Sequence, residues 1–150
     1  MDHLFDTNVL LRSVQRASPA YRDARSAIVT LLRRGDRLCI VPQNVVEFWS
    51  VATRPAERNG LGLSLPQADW YVSRLEAVLT LLNDTPAIYR EWRSLVVAHA
   101  VAGPQVYDAR LVAAMTVYGI TRILTFNGDD FRRYPGVHVI HPQAVRGQTP

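Results

Sequence analysis

The sequence predicts an α/β fold built on a mainly parallel sheet. Three observations predict it. Short apolar runs alternate with longer segments whose apolar residues recur at helical spacing. Capping residues, prolines and glycines mark the joints between them. The chain has 150 residues, 48% of them hydrophobic and 20% charged, which suits one domain over 1–150 with a sizeable core.

Leu4-Phe5 reads as a short strand that turns at Asp6-Thr7-Asn8. Val9 to Gln15 follows as a helix. Ser18-Pro19 pairs a capping residue with a proline suited to the first helical position, and Ala24, Ile28, Leu31 and Leu32 give the stripe of the helix that Gly35 stops. Leu38 to Val41 is a buried strand. Pro42-Gln43-Asn44 opens a helix running to about Thr53, and Arg54 to Leu63, with Pro55, Gly60 and Gly62, is a loop. Ser64-x-x-Gln67 is a capping box before a helix with Ala68, Val72, Leu75, Leu79 and Leu82 on one face. Thr85-Pro86 starts a helix striped by Ile88, Trp92, Leu95 and His99, which Gly103-Pro104 breaks. A helix from Asp108 carries Leu111, Val112, Met115 and Tyr118 and ends at Gly119. Arg122 to Phe126 is a strand, Asn127 to Tyr134 a turn, and Val137 to His141 the last strand.

Composition narrows the function classes. No apolar run approaches a membrane span, and the first six residues have neither the basic nor the long apolar region of a signal peptide, so a cytoplasmic protein is expected. The single cysteine, Cys39, leaves no disulfide framework and no cysteine-based zinc site, and its apolar neighbours make it a buried filler. All 17 basic residues are arginine, and the net charge is +4. With four of the 13 acids committed to a metal, nine face 17 arginines, an excess of eight. A basic surface around an acidic pit suits a polyanionic substrate.

In parallel sheets, functional groups gather beyond the carboxyl ends of the strands. Four acids fall there: Asp6 after the first strand, Glu47 in the helix after the second, Asp108 on the helix feeding the strand at 122–126, and Asp130 in the turn after it. Each also has a local explanation. Asp6 and Asp108 are placed to cap helices, Glu47 to complete a box with Asn44, and Asp129 and Asp130 to shape a turn. Those explanations leave their common location unaccounted for. Mg²⁺ prefers hard oxygen ligands, and carboxylates from different elements make a suitable holder for phosphodiester cleavage. Asn8, Thr125 and Asn127 are placed to orient a carboxylate or a metal-bound water.

Four segments in order resemble the PIN-domain family, in particular the VapC-type toxins of bacterial toxin–antitoxin pairs. They are Asp6-Thr7-Asn8-Val9-Leu10-Leu11, Glu47 in its helix, Tyr107 to Ala114, and Ile123 to Phe131. The resemblance covers nearly the whole chain. It implies a three-layer α/β/α sandwich and an Mg²⁺- or Mn²⁺-dependent endoribonuclease acting on RNA. It also implies a homodimer and a cognate antitoxin. Asp6, Glu47 and Asp108 match the family's strongest acidic positions. Relatives place the fourth acid either where this chain has Asn127 or where it has Asp130, and we expect Asp130, with Asn127 assisting and Asp129 pointing outward. Trp70, Tyr71, Leu75, Val78 and Leu82, with Leu61 and Leu63, are candidates for a partner surface.

Phosphatases with a nucleophilic aspartate and receiver domains share this outline but need a lysine, as does a P-loop, and the chain has none. His3, His99, His138 and His141 lack zinc-ligand spacing, and His99 is expected to be a hydrogen-bonded core residue. The alternative function is a PIN-like module that is non-catalytic, or one that processes RNA alone without an antitoxin.

Overall fold

The computed structural model describes residues 1–146; the last four positions of the 1–150 domain expectation lie outside the described residues. Five strands occur among the described residues: β1 (Asp2–Phe5), β2 (Arg37–Ile40), β3 (Thr80–Leu81), β4 (Arg122–Leu124) and β5 (His138–Ile140). The helices among the described residues are α1 (Thr7–Val14), α2 (Tyr21–Arg33), α3 (Pro42–Thr53), α4 (Leu65–Val78), α5 (Pro86–Ala98), α6 (Gln105–Tyr118) and α7 (Pro142–Arg146). The strands form one sheet in the order β3-β2-β1-β4-β5, and every pairing is parallel.

Side chains alternate across this sheet with the period of two that extended chain imposes. Leu4, Cys39, Val41 and Ile123 enter a core shared with α5 and α6. Phe5, Leu38, Ile40 and Leu124 enter a second core on the other face, shared with α1, α2, α3, α4 and α7. The result is three layers, helices over both faces of a parallel sheet. Burial on both faces is why the strands read as continuous apolar runs rather than alternating ones. Helix α6 buries Ala109, Leu111, Val112, Ala113, Ala114 and Met115, so it is apolar nearly all round, and Gly119 ends it at a φ of 68°.

Several boundaries differ from the sequence expectation. Strand β3 falls where a helix to Leu82 was expected. The stripe Leu75, Leu79, Leu82 fits a helix, but Leu79 is extended and the Leu82 N–H donates to the Ile40 carbonyl at 2.8 Å, a tertiary bond that converts the end into an edge strand. Leu82 is buried and belongs to the core rather than to an exposed patch. At Ser18 the expected helix start is a tight turn, its hydroxyl accepting from the Ala20 N–H at 3.2 Å, and α2 begins at Tyr21. Helix α6 begins three residues before Asp108. The expected core role of His99 is not what is found: it caps the C-terminal end of α5, half-buried, with its ring edge-on to Tyr134 at 5.2 Å.

Chain order places the functional end. The chain leaves β1 for β2 and β3 on one side, then returns to lay β4 and β5 on the other. The strand order therefore reverses between β1 and β4, and a crevice opens there beyond the strands' carboxyl ends. Phe5 pairs with Leu124 across this boundary, so the next residues, Asp6 and Thr125, face each other at its mouth.

Candidate active site

Asp6 stands at the N-cap position of α1, yet its side chain makes no capping hydrogen bond of good geometry. It is buried, and its Oδ2 accepts from the Thr125 hydroxyl at 2.7 Å and from Asn8 Nδ2 at 3.2 Å. Asn8 in turn accepts the Phe126 N–H at 3.3 Å, which ties the first turn of α1 to the segment after β4. Thr125, fully buried, also accepts the Asn127 N–H at 2.9 Å. Asn127 thus enters the network through its backbone, while its side chain is on the surface. Burial pushes the Asp6 carboxyl above its ordinary range, the Thr125 hydroxyl opposes that, and the charge of Glu47 adds to it.

Glu47 is half-buried on α3. One oxygen accepts from the Thr7 hydroxyl at 2.9 Å and the other from Gln43 Nε2 at 2.7 Å. The expected capping box of Asn44 and Glu47 does not form. Asn44, fully buried, itself reaches back to accept the Val41 N–H at 2.9 Å, and it donates to the Phe5 carbonyl at 2.9 Å and to the Thr7 hydroxyl at 3.1 Å. Glu47 instead bonds across to Thr7 at the start of α1 and to Gln43 one turn earlier on α3.

Asp108 lies in the first turn of α6 but is not its cap residue, which is Pro104. Its carboxyl is pushed up to about 7, first by burial and then by the charges of Asp6, Asp130 and Glu47. Its raised value thus follows from burial together with the negative charge of the other three candidate acids. Asp130 is exposed in the turn Gly128–Phe131. Asp129 beside it pairs with Arg132 at 2.9 Å on the surface.

Among the described residues, no three His, Cys, Asp or Glu side chains already close around one point as a metal-ligand set. The chemistry of the donors nevertheless fits a hard divalent cation. The charges of Asp6, Asp130 and Glu47 all bear on Asp108, and among the described residues no ion pair joins an arginine to any of the four. A small ion that keeps several waters needs only one or two direct carboxylates.

Sequence reasoning missed Thr7, Gln43 and Asn44. Their signal was weak, since polar residues at helix starts ordinarily serve as caps.

The PIN domain family model matches residues 4–137 of the sequence. The chain belongs to the PIN domain family. Its fold is that of the VapC toxins: VapBC-1 from nontypeable Haemophilus influenzae superposes with a TM-score of 0.70 at 14% identity, over 95% of this chain and 98% of that one. DNA-bound VapBC from Salmonella typhimurium gives 0.70 at 17% identity, over 95% and 98%. VapC20 of Mycobacterium tuberculosis, described as a toxin that cleaves the sarcin–ricin loop, gives 0.65 at 18% identity, over 85% and 92%. At these identities the likeness is one of fold. No curated protein matches the sequence closely enough to count as a relative. Membership of the PIN family supports a nuclease role, and no helix among the described residues is long and apolar enough to cross a membrane.

Proposed function

We propose that this PIN-domain chain is an Mg²⁺- or Mn²⁺-dependent endoribonuclease of the cytoplasm, the toxin of a toxin–antitoxin pair. The observation that carries the reading is the buried Asp6 held by Thr125 and Asn8 at the crevice between β1 and β4, with the charges of Asp6, Glu47 and Asp130 bearing on Asp108, in a family match spanning most of the chain. These four carboxylates would hold the cation, which when bound supplies an activated water and stabilisation of the leaving oxygen. The protein's own groups do the positioning. Thr125 and Asn8 hold Asp6 by one oxygen, leaving the carboxylate oriented and ionisable. Thr7 and Gln43 do the same for Glu47 with neutral donors, so no charge on Glu47 is cancelled. Arg132 and Arg133, exposed beside Asp130, are placed to bind substrate phosphates.

The test is cleavage of a mixed-sequence single-stranded RNA in Mg²⁺ or Mn²⁺. Asp6→Asn, Glu47→Gln and Asp108→Asn should each lower the rate by roughly 100-fold or more without unfolding the protein, and their effects should not add. Chelation of the metal should abolish cleavage. Asp130→Ala should be damaging and Asp129→Ala nearly silent; the reverse would move the fourth position to Asp129. Full activity in the Asp6 variant would remove the mechanism.

A further inference from the structure

We infer that Gln43 is a positioning residue that sets the separation of Glu47 from Asp108, and with it the affinity of the acidic rim for a divalent cation. The inference rests on the reading of the four acids as a metal holder and deepens it.

The Gln43 side-chain amide spans two helices. Its Nε2 donates to Glu47 Oε1 at 2.7 Å and to the Tyr107 carbonyl at 2.8 Å. An amide nitrogen has two hydrogens, so these bonds use all of its donor capacity. Its Oε1 accepts from Arg110 Nη1 at 3.3 Å, and Arg110 is also paired with Asp84 at 3.2 Å. Three contacts therefore fix which way the amide faces. Tyr107 immediately precedes Asp108, so the bond to its carbonyl grips the backbone that carries the second acid.

Leverage comes from what is missing around this bridge. Helices α3 and α6 do not pack broadly on each other: α3 lies against α1 and α4, and α6 against α5. They belong to opposite cores, on opposite faces of the sheet. Among the described residues, the side-chain hydrogen bonds that join α3 to α6 both run through Gln43. Removing a bridge of this kind typically costs 10- to 100-fold in metal affinity while leaving the ligands in place.

The test compares wild type with Gln43→Met, which keeps the length of the side chain and removes the amide. Mn²⁺ binding is measured by calorimetry, and the metal-free melting temperature by circular dichroism. The expected result is Mn²⁺ affinity weakened by about tenfold or more, with a metal-free melting temperature close to wild type. In a Glu47→Gln background, Gln43→Met should add no further loss, because the residue acts through Glu47. Equal Mn²⁺ affinities, or a full additional loss in that background, overturn the proposal. If Gln43→Met fails to fold, Gln43→Asn, too short to reach both acceptors, replaces it with the same expectation. Wild type that binds no Mn²⁺, or that binds it no better than Asp6→Asn, overturns the metal reading itself. The two failures are thereby told apart.

Discussion

Asp108 stands in the first turn of α6, where burial raises its carboxyl and the charges of Asp6, Asp130 and Glu47 add to that effect. Its folded-state value of about 7 lies above the ordinary aspartate range. A carboxyl raised in the folded state binds more protons there than in the unfolded chain. Its contribution to stability is full below about pH 4 and is lost as the pH rises through 7. In metal-free buffer the protein should therefore weaken between pH 5 and pH 8 on this account. Asp108→Asn should remove that trend and raise the melting temperature at pH 8. Because the side chain is only half-buried, solvent screens much of the effect, and the gain should be about 1 kcal/mol, or roughly 2–4 °C for a chain of this size. Added Mn²⁺ should reverse the wild-type trend, since the ion binds the deprotonated acids. Thermal scans across pH with and without Mn²⁺ check both parts. A metal-free stability that is flat from pH 5 to pH 8 would contradict the assignment of the raised carboxyl.

Between elements, the joint of β1, β2 and α3 is made by one buried amide. Asn44 caps α3 through the Val41 N–H and pins that helix to the Phe5 carbonyl and the Thr7 hydroxyl. Asn44→Leu removes all three bonds in a water-free place, so it should cost on the order of 3 kcal/mol. Urea unfolding at an unchanged slope measures it, and a loss below about 1 kcal/mol would mean that packing, not the amide, docks α3. The same joint explains what was legible in the sequence. Asp6, Glu47 and Asp108 stood out as candidates for one rim because parallel strands put their carboxyl ends together, and strand position follows from local apolar pattern. Thr7, Gln43 and Asn44 did not, because each bonds to a partner 37 or more residues away or on another element. Strand β3 was hidden for the same reason: the stripe Leu75, Leu79, Leu82 satisfies a helix until Ile40 offers its carbonyl. Helix α7 gave little signal, being only five residues long.

Over the whole molecule, the apolar surface left uncovered is uneven. A groove of about 320 Å³ runs between α4 and the α1–α2 pair. Trp70, Tyr71, Leu75 and Val78 line one side, with Trp70 56% and Val78 51% exposed. Arg16, Arg25 and Arg74 line it as well, and Arg74 lies over the Trp70 ring at 5.3 Å. An amphipathic partner segment carrying acidic residues matches this mixture of apolar wall and arginine rim. On the proposed toxin reading, that partner would be the antitoxin, and the expected behaviour follows. Expression of this chain alone should arrest bacterial growth, and Asp6→Asn should relieve the arrest. Co-expression of the protein encoded immediately upstream should relieve it too. Groove variants Val78→Asp and Arg74→Glu, outside the hydrogen-bond network of Asp6 and Glu47, should keep RNA cleavage and lose that relief. Light scattering of the purified chain tests the expected homodimer separately. Growth arrest relieved equally in wild type and groove variants would place the antitoxin elsewhere on the surface. A non-toxic monomer that still cleaves RNA with Mg²⁺ would keep the chemistry of the rim and remove the toxin role.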